Sequence, residues 1–489
     1  MAENKLFTIY SIALLIAIYL CSTIVLFWGE SGKILFFEIG ALTLPSIGLF
    51  AVICIFAVWK RKYFFVFLVF ILLAFPSPID DIFPSVIVSN ADDRKQIMFS
   101  FITRIDIYLI LGILLGLYEQ RFRLKTINFG LVLKTFLVLF SCVFFVNIFK
   151  SEDVWDFNLL LAHSFHLRYL FLFLILLQLY DIKKYEKELA VGFCLSLFFL
   201  LIEAYANTHL KGAGRLLSGS LSLNTFANIT TAIALYITFL LKDGQIKQVL
   251  GIGALAVAFV IIVASGTRGA ILAYALSYLL IILVKDRKKL VMNILKVASG
   301  IVLIAFAYYF TSSQGYIPKR FSYEEISNKV DLNFEKSGLT KVIDVRYSEE
   351  TTSIRSRLIL FETSINMIDD NPFSGVGVGR WNRNKKVYLK DGSIAKVLLD
   401  SHNDYLALMS QYGIALGLLF AWLVFFYPFA MHKKIRHKDD GPLVYLYVLN
   451  FTMGIAAFSN AGFFKHQVSA LLLLSLCITL KLRYENATI

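Results

Sequence analysis

The fold is decided by stretches such as NTFANITTAIALYITFLL at 224–241, KQVLGIGALAVAFVIIVA at 247–264 and GAILAYALSYLLIILV at 269–284. A helix of about 20 apolar residues crosses the hydrocarbon core of a bilayer. The whole chain is 58% hydrophobic and 17% charged, whereas soluble domains carry about 25% charged residues. Alternating strand patterns are absent. The sequence therefore predicts an all-α polytopic membrane protein.

We predict fourteen transmembrane helices from the apolar runs. They are 6–28, 34–58, 63–76, 98–118, 128–149, 167–181, 188–206, 224–241, 247–264, 269–284, 290–311, 404–430, 441–460 and 467–483. The third and sixth runs are short and could tilt, break or re-enter. Totals of twelve or thirteen therefore remain open, and the prediction is 12–14 transmembrane helices.

The charges of the connecting segments predict the orientation. Basic connectors, such as 60–62 and 285–289, alternate with acidic or mixed ones, such as 80–93 and 152–156. Basic loops stay in the cytoplasm, so both termini are predicted to be cytoplasmic. The same rule accounts for the net charge of +14, which therefore does not predict nucleic-acid binding. The cysteines all lie in apolar runs, where neither a disulfide framework nor a metal site is expected.

One long polar segment, 312–403, interrupts the membrane helices. It divides the chain into helices 1–11 within 1–311, a loop domain at 312–403 and C-terminal helices within 404–489. Charge alternation places this loop on the outer side of the membrane. Long loops in compact proteins are usually functional or disordered. We therefore expect chemistry there, on a side of the membrane that holds no nucleotide-activated substrates.

The loop is predicted to contain amphipathic helix. Apolar residues recur at helical spacing over 353–368, with Leu358 and Ile365 in the predicted apolar stripe. Asn371-Pro372 ends this helix. Three glycines follow in Phe373-Ser374-Gly375-Val376-Gly377-Val378-Gly379, which predicts a bent segment with few side chains.

Candidate site residues collect on the predicted outer side. Arginine binds phosphate oxygens through a planar fork of donors, so Arg215, Arg268 and Arg357 are candidate phosphate ligands. Contact with lipid headgroups or with solvent is the alternative for each. His402 is a candidate general base, or a polar residue at the membrane interface, and Asn403 is its neighbour. The remaining outer histidines are scattered without metal-ligand spacing, so no metal site is predicted.

Four of these segments together resemble a known family. His402-Asn403, followed after nine residues by Gly413, resembles the signature of O-antigen ligases. Residues 371–379, with Arg357 upstream, resemble a second block of that superfamily. Two further blocks, 265–270 around Arg268 and Gly214-Arg215 with Asn224, are also similar to it. The resemblance covers about 205–425. It departs at one point, because the second glycine of the signature is expected at Leu416 and falls at Gly417.

The resemblance implies a GT-C-like membrane glycosyltransferase in the bacterial inner membrane, with a periplasmic active site. It implies transfer of a glycan from an undecaprenyl diphosphate donor to an acceptor hydroxyl, with inversion at the anomeric carbon. His402 would be the base, Arg268 and Arg357 would hold the diphosphate, and Arg215 and Asn403 would assist binding. Neither a metal nor a cofactor is implied. The acceptor would be lipid A-core, or a second lipid-linked glycan, and membrane lipids would surround the protein.

Three alternatives stay open. An O-antigen or capsule polymerase and a protein O-oligosaccharyltransferase would share the same motifs, because these motifs do not encode the acceptor. A lipid-linked oligosaccharide transporter would share the number of membrane helices. It would, however, carry charges at mid-membrane and short loops, whereas the charges here crowd at the predicted outer ends.

Overall fold

The computed structural model describes most of the helical part of the chain. The described residues are 34–73, 85–89, 96–100, 103–119, 130–150, 165–210, 223–265, 267–285, 353–389, 401–436, 441–458 and 462–485. The predicted membrane helices 6–28 and 290–311, and Arg215, lie outside these residues. So do 312–352 and 390–400, which are parts of the predicted loop domain.

Helices form nearly all of the described structure. Before the long loop they are α1 Ile34–Trp59, α2 Arg61–Leu73, α3 Arg104–Glu119, α4 Gly130–Phe149, α5 Phe165–Leu179, α6 Glu186–Leu210, α7 Leu223–Lys242, α8 Gln248–Ser265 and α9 Arg268–Lys285. In the loop and after it they are α10 Ser353–Asp370, α11 Trp381–Tyr388, α12 Asp404–Tyr412, α13 Ile414–Ala421, α14 Tyr427–Arg436, α15 Tyr447–Ala456 and α16 His466–Glu485. Short 3₁₀ turns at Ile182–Tyr185 and Pro442–Tyr445 precede α6 and α15.

The helices are those of a multi-pass membrane protein. Within the described ranges, four are long and apolar enough to cross a bilayer: Leu223–Lys242, Gln248–Ser265, Ile414–Ile435 and His466–Arg483. Several shorter apolar helices pack with them around one large apolar core. The total of 12–14 stays a prediction. So do the division of the chain into three parts and its orientation in the membrane.

The structure differs from the all-helical prediction at one place. Residues Ser85–Ser89 and Gln96–Ser100 form an antiparallel pair of strands, with Ser85 opposite Ser100. The predicted helix 98–118 therefore begins only at Arg104. The sequence Ser-Val-Ile-Val-Ser is rich in β-branched residues, which favour strands over helices.

The predicted helix 404–430 was wrong, because the chain turns at Gly413. Helix α12 ends at Tyr412, and Gly413 has φ 83°, which is outside the helical region. The helix long enough to cross a bilayer begins only at Ile414. Residues 404–412 thus form a separate short helix that packs against α13. Glycine permits this turn because it has no Cβ.

A polar network joins the N-terminal ends of α3, α5 and α16. The Arg168 guanidinium forms a 2.7 Å salt bridge with Asp106, and the Thr103 backbone N–H donates to the same carboxylate over 2.7 Å. The Tyr169 hydroxyl is hydrogen-bonded to His466 Nδ1 at 2.9 Å. Polar groups in a membrane protein need such partners, and here they fix three helix ends together.

A second polar contact lies in the middle of the bundle. Residues Trp422–Phe426, between α13 and α14, form one turn of π-helix. The buried Asn450 side chain donates to Val424 O over 2.6 Å and to Leu472 O over 3.0 Å. A π-turn shifts the helical hydrogen bonds, and Asn450 supplies a donor at this place. It thereby ties α15 to the π-turn and to α16.

Replacing Asn450 with leucine is expected to destabilise the protein by about 1–2 kcal/mol, because both interhelical bonds are lost at nearly constant volume. The measurement is the midpoint of thermal unfolding in detergent. Thr479→Val is the matched control, since the Thr479 hydroxyl bonds only Ser475 O in its own helix. An Asn450→Leu midpoint equal to that of the control would contradict this account.

Candidate active site

His402 lies in a strained turn at the start of α12. Its φ is 50°, and it is the only non-glycine residue with positive φ in the described part of the chain. A positive φ is uncommon outside glycine, although asparagine, aspartate and histidine adopt it more often than other residues. Residues in such sparsely populated conformations cluster at functional sites. The Ser401 hydroxyl bridges the turn by donating to Asn403 O over 2.8 Å. The His402 side chain is half-buried.

Asn403 is the N-cap of α12. Its side-chain oxygen accepts hydrogen bonds from Tyr405 N at 2.9 Å and Leu406 N at 3.1 Å, as expected of a capping residue. Its amide nitrogen donates to Phe458 O over 3.2 Å. Both ends of the side chain therefore hold the turn, which is the role that the structure gives to Asn403. Its predicted role in substrate binding stays a prediction.

Asp404 anchors the same turn to two other segments. Its buried carboxylate accepts hydrogen bonds from Gly462 N and Phe463 N, both within 3.1 Å. Its backbone N–H donates to Ala457 O over 3.0 Å. The position of His402 is therefore fixed by the end of α15 and by the segment that leads into α16.

The glycine-rich turn after α10 packs against the other end of α12. Val376 N donates to Ser410 O, and Ile414 N donates to Pro372 O, each over 2.8 Å. A Cβ at Gly413 would lie 2.2 Å from Phe373 O. The two backbones therefore approach too closely for any side chain at position 413. The two sequence blocks that resemble the family therefore form one contact.

Gly417 explains the departure from the signature. A Cβ at this position would lie 2.7 Å from Met409 Cα and Met409 N. The close approach of α12 and α13 therefore requires glycine at 417. Leu416, where the signature has glycine, is instead buried in the main core.

A third polar contact fixes the glycine-rich turn to α4. The buried Arg380 guanidinium donates to Asn147 O and to Lys150 O, each over 3.3 Å. These carbonyls lie at the C-terminal end of α4, where a cation is favourable. The Lys150 ammonium also donates to Ser374 Oγ over 2.6 Å. The sequence analysis did not identify Arg380. Its position directly after the third glycine could have indicated a role in holding the glycine-rich turn.

Arg357 lies on α10, which packs against α12. Its side chain is half-buried and makes no hydrogen bond or ion pair within the residues that the structure describes. The helix has its own small core of Ile359, Leu360, Met367, Val376 and Trp381. Two residues of the predicted apolar stripe, Leu358 and Ile365, are exposed, and the side on which the stripe packs stays a prediction.

Arg268 is the first residue of α9, and the structure describes its backbone only. Thr267, directly before it, is buried. In the described ranges, no group of three or more histidine, cysteine, aspartate or glutamate side chains could hold a metal ion. The structure thus brings the His402 turn, the glycine-rich turn and α10 together, with Arg357 on that helix.

These features define a multi-pass helical membrane protein in which several hydrogen bonds hold the His402 turn. Comparison with protein families adds the class: residues 253–421 match the family model described as O-antigen ligase. The matched region includes Arg268, Arg357, His402 and Gly417. No curated protein matches the chain.

Replacing Gly417 with alanine tests the contact between α12 and α13. Alanine favours helices over glycine by about 1 kcal/mol, so any loss of stability or activity reports the clash with Met409. We expect a lower unfolding midpoint and a large loss of activity. Gly253→Ala is the control, because a Cβ there would meet only Phe198 at 3.8 Å. Equal stability of the two variants would rule out the close approach.

Proposed function

We propose that the protein transfers a glycan from an undecaprenyl diphosphate donor to an acceptor hydroxyl, most specifically in ligation of O-antigen to lipid A-core. The family match supports glycan transfer of the ligase or polymerase type. The observation that carries the proposal is the His402 turn. A strained, half-buried histidine held in place by Ser401, Asn403 and Asp404 is suited to meet a substrate.

The proposed chemistry follows from the leaving group. As the bond from the anomeric carbon to the diphosphate breaks, negative charge develops on the diphosphate. Fixed cations stabilise such a transition state, and Arg268 and Arg357 would supply them, with Arg215 assisting. His402 takes the proton from the acceptor hydroxyl as its oxygen attacks the anomeric carbon. Direct attack from the opposite face inverts the configuration.

The proposed location is the periplasmic face of the bacterial inner membrane, with both termini in the cytoplasm. The alternation of basic with acidic or mixed connectors supports this side for the loop. A lipid-linked donor suits this compartment because it carries its own activation. Helices α10 and α11, with their small core next to α12, would cover the site and keep water from the activated sugar.

An O-antigen polymerase is the second candidate function, because the matched family is consistent with both activities. The two differ in the acceptor. Purified protein incubated with the lipid-linked donor and lipid A-core should yield capped lipid A-core if it is a ligase. Ladders of longer glycans formed from the donor alone would indicate a polymerase. Transfer to a peptide hydroxyl would indicate a protein glycosyltransferase.

Replacing His402 with asparagine should abolish transfer while leaving the fold and donor binding intact. Asparagine tolerates a positive φ, so the turn is preserved while the base is lost. We expect a loss of about 10²–10⁴-fold in kcat. The measurement combines a transfer assay with a donor-binding assay on the same preparation. Activity within a few fold of the unaltered enzyme would exclude His402 as the base.

Replacing Arg357 with lysine should also reduce transfer, because lysine keeps the charge and loses the planar fork. Arg383, exposed on the neighbouring helix α11, provides the control variant Arg383→Lys. We expect at least tenfold lower kcat/KM for Arg357→Lys and little change for the control. Equal activity of the two variants would remove Arg357 from the proposed site.

A further inference from the structure

The buried side-chain oxygens that have no hydrogen-bond partner in the described structure include four from α7, α15 and the residue before α9. These four belong to Asn228, Thr231, Thr267 and Thr452. Their residues are 2%, 0%, 9% and 0% exposed, respectively. Most buried polar atoms in proteins are hydrogen-bonded, so each exception needs an explanation.

Other buried threonines show what these oxygens lack. The Thr230 hydroxyl donates to Phe226 O, and the Thr479 hydroxyl donates to Ser475 O, each over 2.9 Å. Both bonds run to the carbonyl four residues earlier in the same helix, which is the usual solution for threonine in a helix. Thr231 and Thr452 lie in helices as well, yet neither hydroxyl makes this bond.

Helix packing places Thr452 beside Asn228 and Thr231. Helices α7 and α15 pack together, with the Tyr236 hydroxyl bonded to Pro442 O and the Phe239 ring stacked on Tyr445. Residues 442–445 directly precede α15 and contact the C-terminal half of α7. Because α15 itself packs along α7, it runs back towards the N-terminus of α7, and the two helices are antiparallel. All residues of an α-helix have the same rise. Counting from each of the two contacts forward along α15 and back along α7 therefore puts Thr452 level with residues 226–232. The three oxygens therefore lie at one depth of the interface.

The same depth includes the start of α9. Ala227, next to Asn228, belongs to one small cluster with Ile262 and Ala270. Ala270 is one turn from Thr267 and follows Arg268 closely. Helix α9 also packs against both α7 and α15. Thr267 therefore faces the same interhelical region, and Arg268 stands at its edge.

The opposite edge of this region leads to His402. The Tyr405 hydroxyl donates to Gly454 O over 2.7 Å, and the Asn403 amide donates to Phe458 O over 3.2 Å. Both acceptors lie just beyond Thr452 along α15. The four oxygens thus lie between the turn that bears the candidate base and the turn that bears Arg268.

We propose that Asn228, Thr231, Thr267 and Thr452 form a hydrogen-bonding subsite for the hydroxyl groups of the sugar attached to the donor diphosphate. This inference rests on the proposed function and assigns sugar recognition to the same site. Amide and hydroxyl groups are neutral, and they both donate and accept. This chemistry matches sugar hydroxyls, whereas a diphosphate calls for cations.

The test compares two lipids and two neighbouring threonines. Dissociation constants in detergent are measured for undecaprenyl diphosphate and for the native lipid-linked oligosaccharide, purified from cells that lack the enzyme. Thr231→Val removes one unbonded hydroxyl at constant shape. We expect it to weaken binding of the oligosaccharide lipid about five- to tenfold and to leave binding of undecaprenyl diphosphate unchanged.

Thr230→Val is the matched control, because Thr230 is equally buried on the same helix and its hydroxyl is already bonded. It should change neither constant. Thr452→Val, on the facing helix, should reproduce the effect of Thr231→Val. Equal weakening of both lipids would assign the pocket to phosphate, and unchanged binding would show a merely structural pocket, so either result overturns the subsite. If the unaltered protein binds neither lipid, the proposed function itself fails.

Discussion

The candidate site depends on a contact between backbones, at the place where Gly413 meets the turn that follows α10. A side chain at 413 would overlap Phe373 O, and one at Gly375 would overlap the Gln411 backbone. Because no side chain intervenes, peptide groups of the two segments hydrogen-bond directly. This contact fixes the loop helix that carries Arg357 to the helix that begins beside His402. Arg357 and His402, which are distant in sequence, are thereby held on two helices that contact each other.

Most helices could be predicted from hydrophobicity alone, because an apolar run in a bilayer has few alternatives to helix. The break at Gly413 could not. A single glycine within a helical pattern is tolerated, and the groups that satisfy the broken turn come from 372–376, far earlier in the chain. The exposure of Leu358 and Ile365 could not be predicted for a related reason. Helical periodicity finds an apolar face without showing whether protein or lipid covers it.

The site residues divide in the same way, into those that a sequence pattern indicates and those that depend on distant backbone partners. His402 became a candidate as a polar residue at the start of an apolar run. Arg357 became one because a guanidinium suits phosphate and because its sequence block resembles the family. Arg380 and Asp404 were harder to place, since their partners are backbone groups that no pattern displays. Arg380 donates to carbonyls at the end of α4, and Asp404 accepts from the segment that leads into α16. Asp404 holds the turn that bears His402, and Arg380 holds the glycine-rich turn that packs against α12. Both roles become visible only in three dimensions.

Buried charged groups and buried neutral oxygens differ in how far they need partners, and the difference has a physical reason. A buried cation without a partner is far more costly than a buried hydroxyl. The buried Arg380 accordingly donates to two carbonyl groups, whereas Arg357 is only half-buried. Unbonded threonine and asparagine oxygens can remain inside the bundle at a modest cost in stability.

In the proposed reaction the diphosphate is common to every undecaprenyl donor, and the sugar varies. Arginines at the rim therefore suit the common part, whereas a wall of neutral donors and acceptors suits the part that must be distinguished. Discrimination would then come from oxygens that are unbonded until the correct sugar arrives.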